Sequence, residues 1–269
     1  MRIVVCVKQL PDLQGTRAFA ENGLVDRAAA TPILNELDEH AVEAAVRLVE
    51  AHGGEVLALS MGPAGVSKAV RQAMQIGASA GFAVTDDALR GTDATGTARV
   101  LAAALGRIGE QAPVDLVLTG MSATDAYGGI VPAMLAELLD LPQLTFAGSV
   151  EVDGDLVRVV REVDDRSETI EASLPALVSV TDQTPTARFP DMTAMMAARK
   201  APLTTWTLAD LGLDPAHLGQ AGAGARVAGA VERPPRVQGE VVVDDGDGSG
   251  ARALAAFLLE RTAAGQVPA

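Results

Sequence analysis

Residues 119–131 read Thr-Gly-Met-Ser-Ala-Thr-Asp-Ala-Tyr-Gly-Gly-Ile-Val, with three glycines, two threonines, one serine, one aspartate and no basic side chain. Such a set can hold a ligand through backbone amides and hydroxyls, with glycines letting the ligand come close to the main chain. Residues 108–157 contain no Lys or Arg at all. A triphosphate held for phosphoryl transfer recruits Lys, Arg and Mg²⁺, and the stretch lacks the Gly-x-x-x-x-Gly-Lys-[Ser/Thr] pattern of a P-loop. The chemistry it suits is recognition of a low-charge ligand such as a nucleoside monophosphate. Asp125 would repel a nearby phosphate, so a ribose hydroxyl, a turn cap or a partner is its expected contact. An ordinary polar loop without a ligand fits the same composition equally well.

The apolar run Val114–Leu118 leads into this stretch and a helical pattern from Pro132 to Asp140 leads out. It is therefore a strand-to-helix loop, and the rest of the chain has to place it. Strands are expected at Ile3–Val7, Val56–Ser60, Gly81–Val84, Val114–Leu118 and Ala176–Val180, from continuous β-branched and apolar runs. Helices are expected between them. One is capped by Asn35, with Glu36, Asp38 and Glu39 in its first turn, and ends at Gly53-Gly54. Others run over Ala64–Ile76, Asp93–Arg107 and Ala133–Leu139. Alternation of this kind predicts a parallel sheet in a Rossmann-like (HUP-like) α/β domain. Ligands of such sheets sit beyond the carboxyl ends of the strands. Here those ends are Cys6-Val7-Lys8, Ser60-Met61-Gly62-Pro63, Thr85 and Thr119-Gly120.

After Pro142 the rhythm changes. Thr145–Val152 and Asp155–Val163, joined at Asp153-Gly154, form an antiparallel hairpin signal, and Thr169–Ala172 is a candidate third strand. Residues 14–30 read as irregular, and 184–200 contain two prolines and a Met-rich run. A Gly/Pro-rich linker over about 219–250 precedes a terminal helix at Ala251–Arg261. The expected organisation is a domain over 1–218, with a hairpin insertion at about 145–172 and a loop at about 184–200, then an extended arm over 219–269. A structureless stretch of that length suits an arm that reaches a partner.

Composition narrows the function. The chain has 269 residues, 48% hydrophobic but only 3% aromatic, with one Trp and one Tyr, too few to line a flavin or haem pocket alone. The net charge of −14 argues against nucleic acid and anionic membranes as partners. Cys6 is the one cysteine, so neither a disulfide framework nor a Cys-rich metal site is expected. Neither a signal peptide nor an 18-residue apolar span is read, and a cytoplasmic location is expected.

Several blocks together carry a resemblance. They are Val5-Cys6-Val7-Lys8-Gln9, Asn35-Glu36-Leu37-Asp38-Glu39-His40-Ala41-Val42-Glu43-Ala44-Ala45, Gly62-Pro63-Ala64, Ala73-Met74-Gln75-Ile76-Gly77-Ala78, Leu141-Pro142-Gln143-Leu144-Thr145, Arg161-Glu162-Val163-Asp164 and Leu174-Pro175-Ala176. In this order and spacing the chain resembles the beta subunits of electron transfer flavoproteins over about residues 1–214. The resemblance implies half of an alpha/beta heterodimer. It implies a structural AMP in this subunit, and an FAD held mainly by the alpha subunit under a shelf formed by this one. Electrons would arrive from acyl-CoA dehydrogenases or similar flavoenzymes and leave towards a quinone reductase, with this chain a carrier subunit and not an enzyme. The AMP contacts it implies fall on Cys6, Asn35, Glu36, Leu37, Asp38 and Met61, and on Gly120, Met121, Ser122, Ala123, Thr124, Asp125, Gly128, Gly129, Ile130 and Val131. The family often has Gly-Lys/Arg-Gln-Ala-Ile-Asp where this chain has Gly120 to Asp125. Gly120, Ala123 and Asp125 are kept, while the basic residue and the later polar side chains are replaced.

The family's docking loop maps to Arg188–Met196, with Met192 where the family often has an anchoring leucine. Partner docking is accordingly expected at Arg188, Met192, Met195 and Met196. Unbranched thioether side chains suit a surface that meets several partners; a Met-rich core helix is the other reading, and Pro185 and Pro190 tilt towards a loop. Cys6 is read as a buried strand residue offering backbone to the nucleotide, and His40 as an exposed helix residue. Arg161, Glu162, Asp164 and Asp165 meet the alpha subunit or form a solvated hairpin edge. The acidic turn 244–250 is no EF-hand, because position 12 counted from Asp245 is Ala256. Two other functions fit the residues: a bifurcating or FixA-like subunit with a second FAD at the AMP site, and a free-standing nucleotide-binding regulatory module.

Overall fold

The computed structural model describes residues 1–12, 19–20, 23–27, 30–231, 233–234, 236–239, 241–244 and 246–263. Most of the irregular 14–30 stretch and the last six residues of the arm lie outside these. In chain order the elements are β1 (Arg2–Cys6), β2 (Gln9–Pro11), β3 (Pro32–Leu34), α1 (Glu36–His52), β4 (Glu55–Gly62), α2 (Ser67–Ile76), β5 (Ala80–Thr85), α3 (Ala94–Gly109), β6 (Leu116–Gly120) and α4 (Val131–Leu139). There follow β7 (Gln143–Ala147), β8 (Ser149–Asp153), β9 (Leu156–Val163), β10 (Arg166–Ser173), β11 (Ala176–Val180), α5 (Met192–Lys200), β12 (Leu203–Trp206), α6 (Gly219–Gly222) and α7 (Ser249–Ala263).

Seven strands form one parallel sheet in the order β12-β5-β4-β1-β6-β11-β7. Central strands are apolar on both sides because helices cover both faces. Ile3, Val5, Val56, Ala58, Leu116 and Leu118 enter one core with α1 and α2; Val4, Cys6, Leu57, Leu59 and Val117 enter the other with α3 and α4. The chain runs from β1 outward through β4 to β5, then returns to the other side of β1 at β6. That reversal opens a crevice beyond the carboxyl ends of β1 and β6, the place where sheets of this type bind ligands. The loop at 119–131 leaves β6 there.

The hairpin differs from its expected form. The single strand expected over 145–152 is two strands divided at Gly148. β7 joins the main sheet beside β11, while β8 starts the three-stranded antiparallel sheet β10-β9-β8. The cause is local. Phe146 has left-handed backbone (φ 60°), and its amide donates to Ser179 Oγ at 3.0 Å, where the β7–β11 register shifts. At the crossing the Gly148 amide donates to the Val160 carbonyl of β9 at 2.8 Å, which turns the chain from the main sheet onto the hairpin. Smaller differences are that β6 runs from 116 to 120, because Gly120 still pairs with Val180, and that Val131, expected in the loop, begins α4 with Pro132 in its first turn. The segment 184–200, expected as a loop, contains the nine-residue helix α5. β2, β3 and β12 were not expected from the sequence.

The chain divides into two compact units, Met1–Ala230 and Val231–Ala269. In the second, α7 exposes Leu254, Phe257, Leu258 and Leu259, and the Arg261 guanidinium lies 4.5 Å above the Phe257 ring.

Candidate nucleotide site and docking segment

The crevice is built by the first turn of α1. Asn35 precedes this helix but does not cap it with its side chain. Its amide nitrogen donates to the Ser122 carbonyl at 2.9 Å, and its Oδ1 accepts from the Thr124 amide at 3.2 Å. The expected cap is instead a grip on the 119–131 loop, 87 residues away in sequence. Asp38, only 5% exposed, does the same for the strand ends from within the first turn of the helix. Its Oδ2 accepts from the Lys8 amide at 2.7 Å and its Oδ1 from the Gly120 amide at 3.2 Å. The ends of β1 and β6 are thus tied to one carboxyl group. Burial pushes that carboxyl up to about 7, against the pull of its hydrogen bonds and the Lys8 charge.

Gly120 has to be glycine for this approach. A Cβ there would lie 2.5 Å from Asp38 Oδ1 and 2.8 and 2.9 Å from the carbonyl carbon and oxygen of Leu37. Cys6 is buried beside it, its thiol pushed up to about 12 by burial and then by the charge of Asp38, so it offers packing and not a thiolate. Leu37 is buried, Met61 half-buried at the end of β4, and Glu36 exposed.

Asp125 is engaged within the chain itself. Its side chain is 3% exposed and carries two ion pairs, to Lys8 Nζ at 2.7 Å and to Arg27 at 2.6 Å. Burial pushes its carboxyl up, but Lys8 and Arg27 outweigh that and hold it below the usual range. The loop lacks basic residues of its own, yet two arrive from the end of β1 and from the segment before β3 and share this one carboxylate, which offsets half of their charge. Nothing in the loop's composition announces either one.

The second half of the loop faces outward. Met121 is fixed by its amide to the Val180 carbonyl (2.8 Å), and Ala126 and Tyr127 turn back to Ala123 (3.1 and 2.7 Å). Beyond that, the amides of Gly128, Gly129, Ile130 and Val131 have no acceptor among the described residues. Gly129 is left-handed (φ 61°) and Ile130 right-handed (φ −101°, ψ −22°), the alternation that forms anion-binding nests. A Cβ on Gly128 would meet nothing within 4 Å. Residues two apart in a strand share a side, so Thr119 lies on the side of Val117, towards α3 and α4, and its buried hydroxyl has no partner among the described residues. Free amides, an orphaned hydroxyl and an open glycine face at the head of α4 fit the phosphate and hydroxyls of a nucleotide. Among the described residues no group of three or more His, Cys, Asp or Glu could hold a metal ion. Nor is any described helix long and apolar enough to cross a membrane.

The segment expected to dock partners packs against α1 further along the helix. Phe189 is 95% exposed and Met192 70%, with Met196 a helical turn later also exposed; Met195 is half-buried. Arg188 is not a free cation. It bonds Glu43 and Glu50 of α1 through Nε and both terminal nitrogens, at 2.6 to 3.2 Å. No sequence pattern signals this network. His40, expected on an exposed face, is half-buried, with Nδ1 2.9 Å from the Thr184 carbonyl oxygen. On the hairpin, Arg161 pairs with Glu168 across β9 and β10 at 2.7 Å, and lines a cleft of about 390 Å³ with Phe146, Met121 and Glu162.

The sequence profile of the family described as "Electron transfer flavoprotein domain" matches residues 23–211. The chain is 38% identical over 252 residues to an electron transfer flavoprotein subunit beta of Mycobacterium leprae, covering 91% of this chain and 94% of that one. It is 32% identical to the protein FixA of Azorhizobium caulinodans (97% and 95% covered). It is 30% identical to the caffeyl-CoA reductase-Etf complex subunit CarD of Acetobacterium woodii (97% and 99% covered).

Proposed function

Because this chain belongs to the electron transfer flavoprotein family, we propose that it is the beta subunit of such a carrier and holds a structural AMP at the carboxyl ends of β1, β4 and β6. The observation that carries the AMP reading is the run of unpaired amides from Gly128 to Val131 at the head of α4. The two basic groups nearest the loop share a single carboxylate, Asp125, so the trio keeps one net positive charge, to which the amides and the start of α4 add. That suits a monophosphate. In this reading Asn35 and Asp38 shape the loop, Cys6 and Met61 line the crevice, and the chain performs no bond chemistry of its own. A flavin held mainly by an alpha subunit supplies the redox chemistry. The hairpin sheet and the arm with α7 face that subunit, and the Phe189–Met196 segment docks acyl-CoA or other flavin dehydrogenases, with a quinone reductase downstream.

The similarity to FixA and CarD keeps a second reading in view, a second FAD at the same crevice. One measurement separates the two. The chain is co-expressed with its alpha-type partner, the heterodimer is acid-treated, and released FAD and AMP are quantified. One of each per heterodimer is the expected result. Two FAD and no AMP would transfer the crevice to a flavin, and one FAD alone would remove the nucleotide from this subunit.

A further inference from the structure

The apolar docking segment is fastened at both ends by arginines that reach across the sequence. At its start, Arg188 is bound by five contacts. Its backbone amide and Nε donate to Glu43 Oε2 (3.1 and 2.9 Å) and one terminal nitrogen to Glu43 Oε1 (3.2 Å); the guanidinium also spans both oxygens of Glu50 (2.6 and 3.0 Å). Glu43 is 1% exposed and takes a further bond from Arg47 Nε at 2.7 Å. At its end, Arg71 of α2 donates to the Ala198 and Ala201 carbonyls at 2.6 and 2.7 Å, closing the C-terminus of α5. Between the two, Asp191 caps α5 by accepting from the Ala194 amide at 2.7 Å. Phe189, Met192 and Met196 are left exposed on a segment whose flanks cannot move freely. The planar five-donor fork of arginine is what allows one side chain to span two carboxylates.

We propose that Glu43 and Glu50 of α1 are positioning residues for partner docking: they hold Arg188, and through it fix Phe189 to Met196 in the geometry that a dehydrogenase meets. This rests on the reading of that segment as the docking surface. Its physical basis is preorganisation. A mobile segment would be ordered at the expense of binding, whereas one held in advance is not. Arg188 therefore serves docking by facing inward, and a partner's acidic group is not its target.

The test uses the co-expressed heterodimer as electron acceptor for an acyl-CoA dehydrogenase, with Glu43→Gln, Glu50→Gln, Arg188→Lys and Met192→Ala. The KM for the heterodimer should rise about tenfold in Glu43→Gln and severalfold in Glu50→Gln and Arg188→Lys, with kcat and nucleotide content unchanged. The double variant Glu50→Gln/Arg188→Lys should be no worse than Arg188→Lys alone, because the groups act as one clamp. Hydrogen exchange over residues 189–196 should quicken in Glu43→Gln. A raised KM in Arg188→Lys with wild-type values in both glutamate variants would overturn the proposal, placing Arg188 against the partner. Unchanged exchange in Glu43→Gln would also overturn it. If Met192→Ala leaves KM untouched while exchange still quickens in Glu43→Gln, the clamp stands and the docking reading fails.

Discussion

Replacing Gly120 by alanine tests the central joint of the crevice. The added methyl would lie 2.5 Å from Asp38 Oδ1, and 2.8 and 2.9 Å from the Leu37 carbonyl group. Side-chain rotation cannot relieve the second clash, because Leu37 contributes backbone inside the first turn of α1. Either the end of β6 moves away from α1, or the 3.2 Å bond from the Gly120 amide to Asp38 is given up. Overpacking of this kind costs about 1–3 kcal/mol, and loss of an amide bond to a buried carboxylate adds about 1.5–3 kcal/mol. A loss of about 3 kcal/mol should lower the melting temperature by roughly 6–12 °C in a chain of this size. Gly128→Ala is the matched control. Nothing lies within 4 Å of its added methyl, and its backbone is not left-handed. Its stability should stay within about 0.5 kcal/mol of wild type, while AMP released from the purified heterodimer should fall. Thermal unfolding and nucleotide release on both variants decide the matter. A Gly120→Ala protein melting within a degree of wild type would refute the joint, and a Gly128→Ala protein with its full AMP content would refute seating the phosphate over residue 128.

Further outcomes follow from the charged groups. Burial would raise Glu43, but Arg188 and Arg47 outweigh it and hold the carboxyl down to about 2. A depressed folded value contributes stability above the unfolded value of 4.5 that disappears as pH falls towards 2, about 3 kcal/mol in full. Glu43→Gln should therefore flatten the loss of urea stability between pH 5 and pH 3, and an unchanged slope would sink the assignment. Asp38 has the opposite sign. Its folded value of about 7 lies above the ordinary 3.8, so its contribution is complete below 3.8 and is lost as pH rises through 7. Nucleotide-free protein should lose about 3 kcal/mol from this group between pH 5 and pH 8, and Asp38→Asn should remove that slope while lowering stability throughout. Asp125→Asn should release Lys8 and Arg27 together, so that limited proteolysis within 121–130 quickens. Equal cleavage rates in variant and wild type would show that the ion pairs do not order the loop.

The main sheet was legible because both its faces are covered. Continuous runs such as Ile3–Val7 and Ala176–Val180 are what fully buried parallel strands require, and the structure places them within a residue or so. Where tertiary contacts outweigh the local pattern, the reading failed. Thr145–Val152 alternates like one strand, but the Ser179 hydroxyl and the bond from the Gly148 amide to the Val160 carbonyl bend it between two sheets. Asn35 has the type and position of a helix cap, yet an amide side chain satisfies a loop 87 residues distant as readily as its own helix. β12, a strand of four residues at the sheet edge, has too little apolar pattern to stand out from its surroundings. For the site, the strand-end loop could be singled out from its glycines and its place after a buried strand, but the charges beside it could not. Lys8, Arg27 and Asp125 lie in three separate segments, and their pairing exists only once the sheet brings them together.

That pairing changes what the absence of basic residues in the loop means. From sequence, the absence suggests a weak site that tolerates only a low-charge ligand. In the structure, two basic groups stand behind the loop and only half of their charge is offset. The Asp125 side chain is almost fully buried between Lys8 and Arg27, and the three groups together keep one net positive charge. In the proposed AMP reading, that single charge, four amides and a helix start suit one phosphate group better than several. α1 carries this further, since one helix and its leading residue supply Asn35 and Asp38 to the loop and Glu43 and Glu50 to the docking segment. Under the proposed function, a nucleotide that stiffens the loop would also brace the helix that holds Arg188 and the segment after it, which gives a ligand with no redox chemistry a physical reason to be present in an electron carrier.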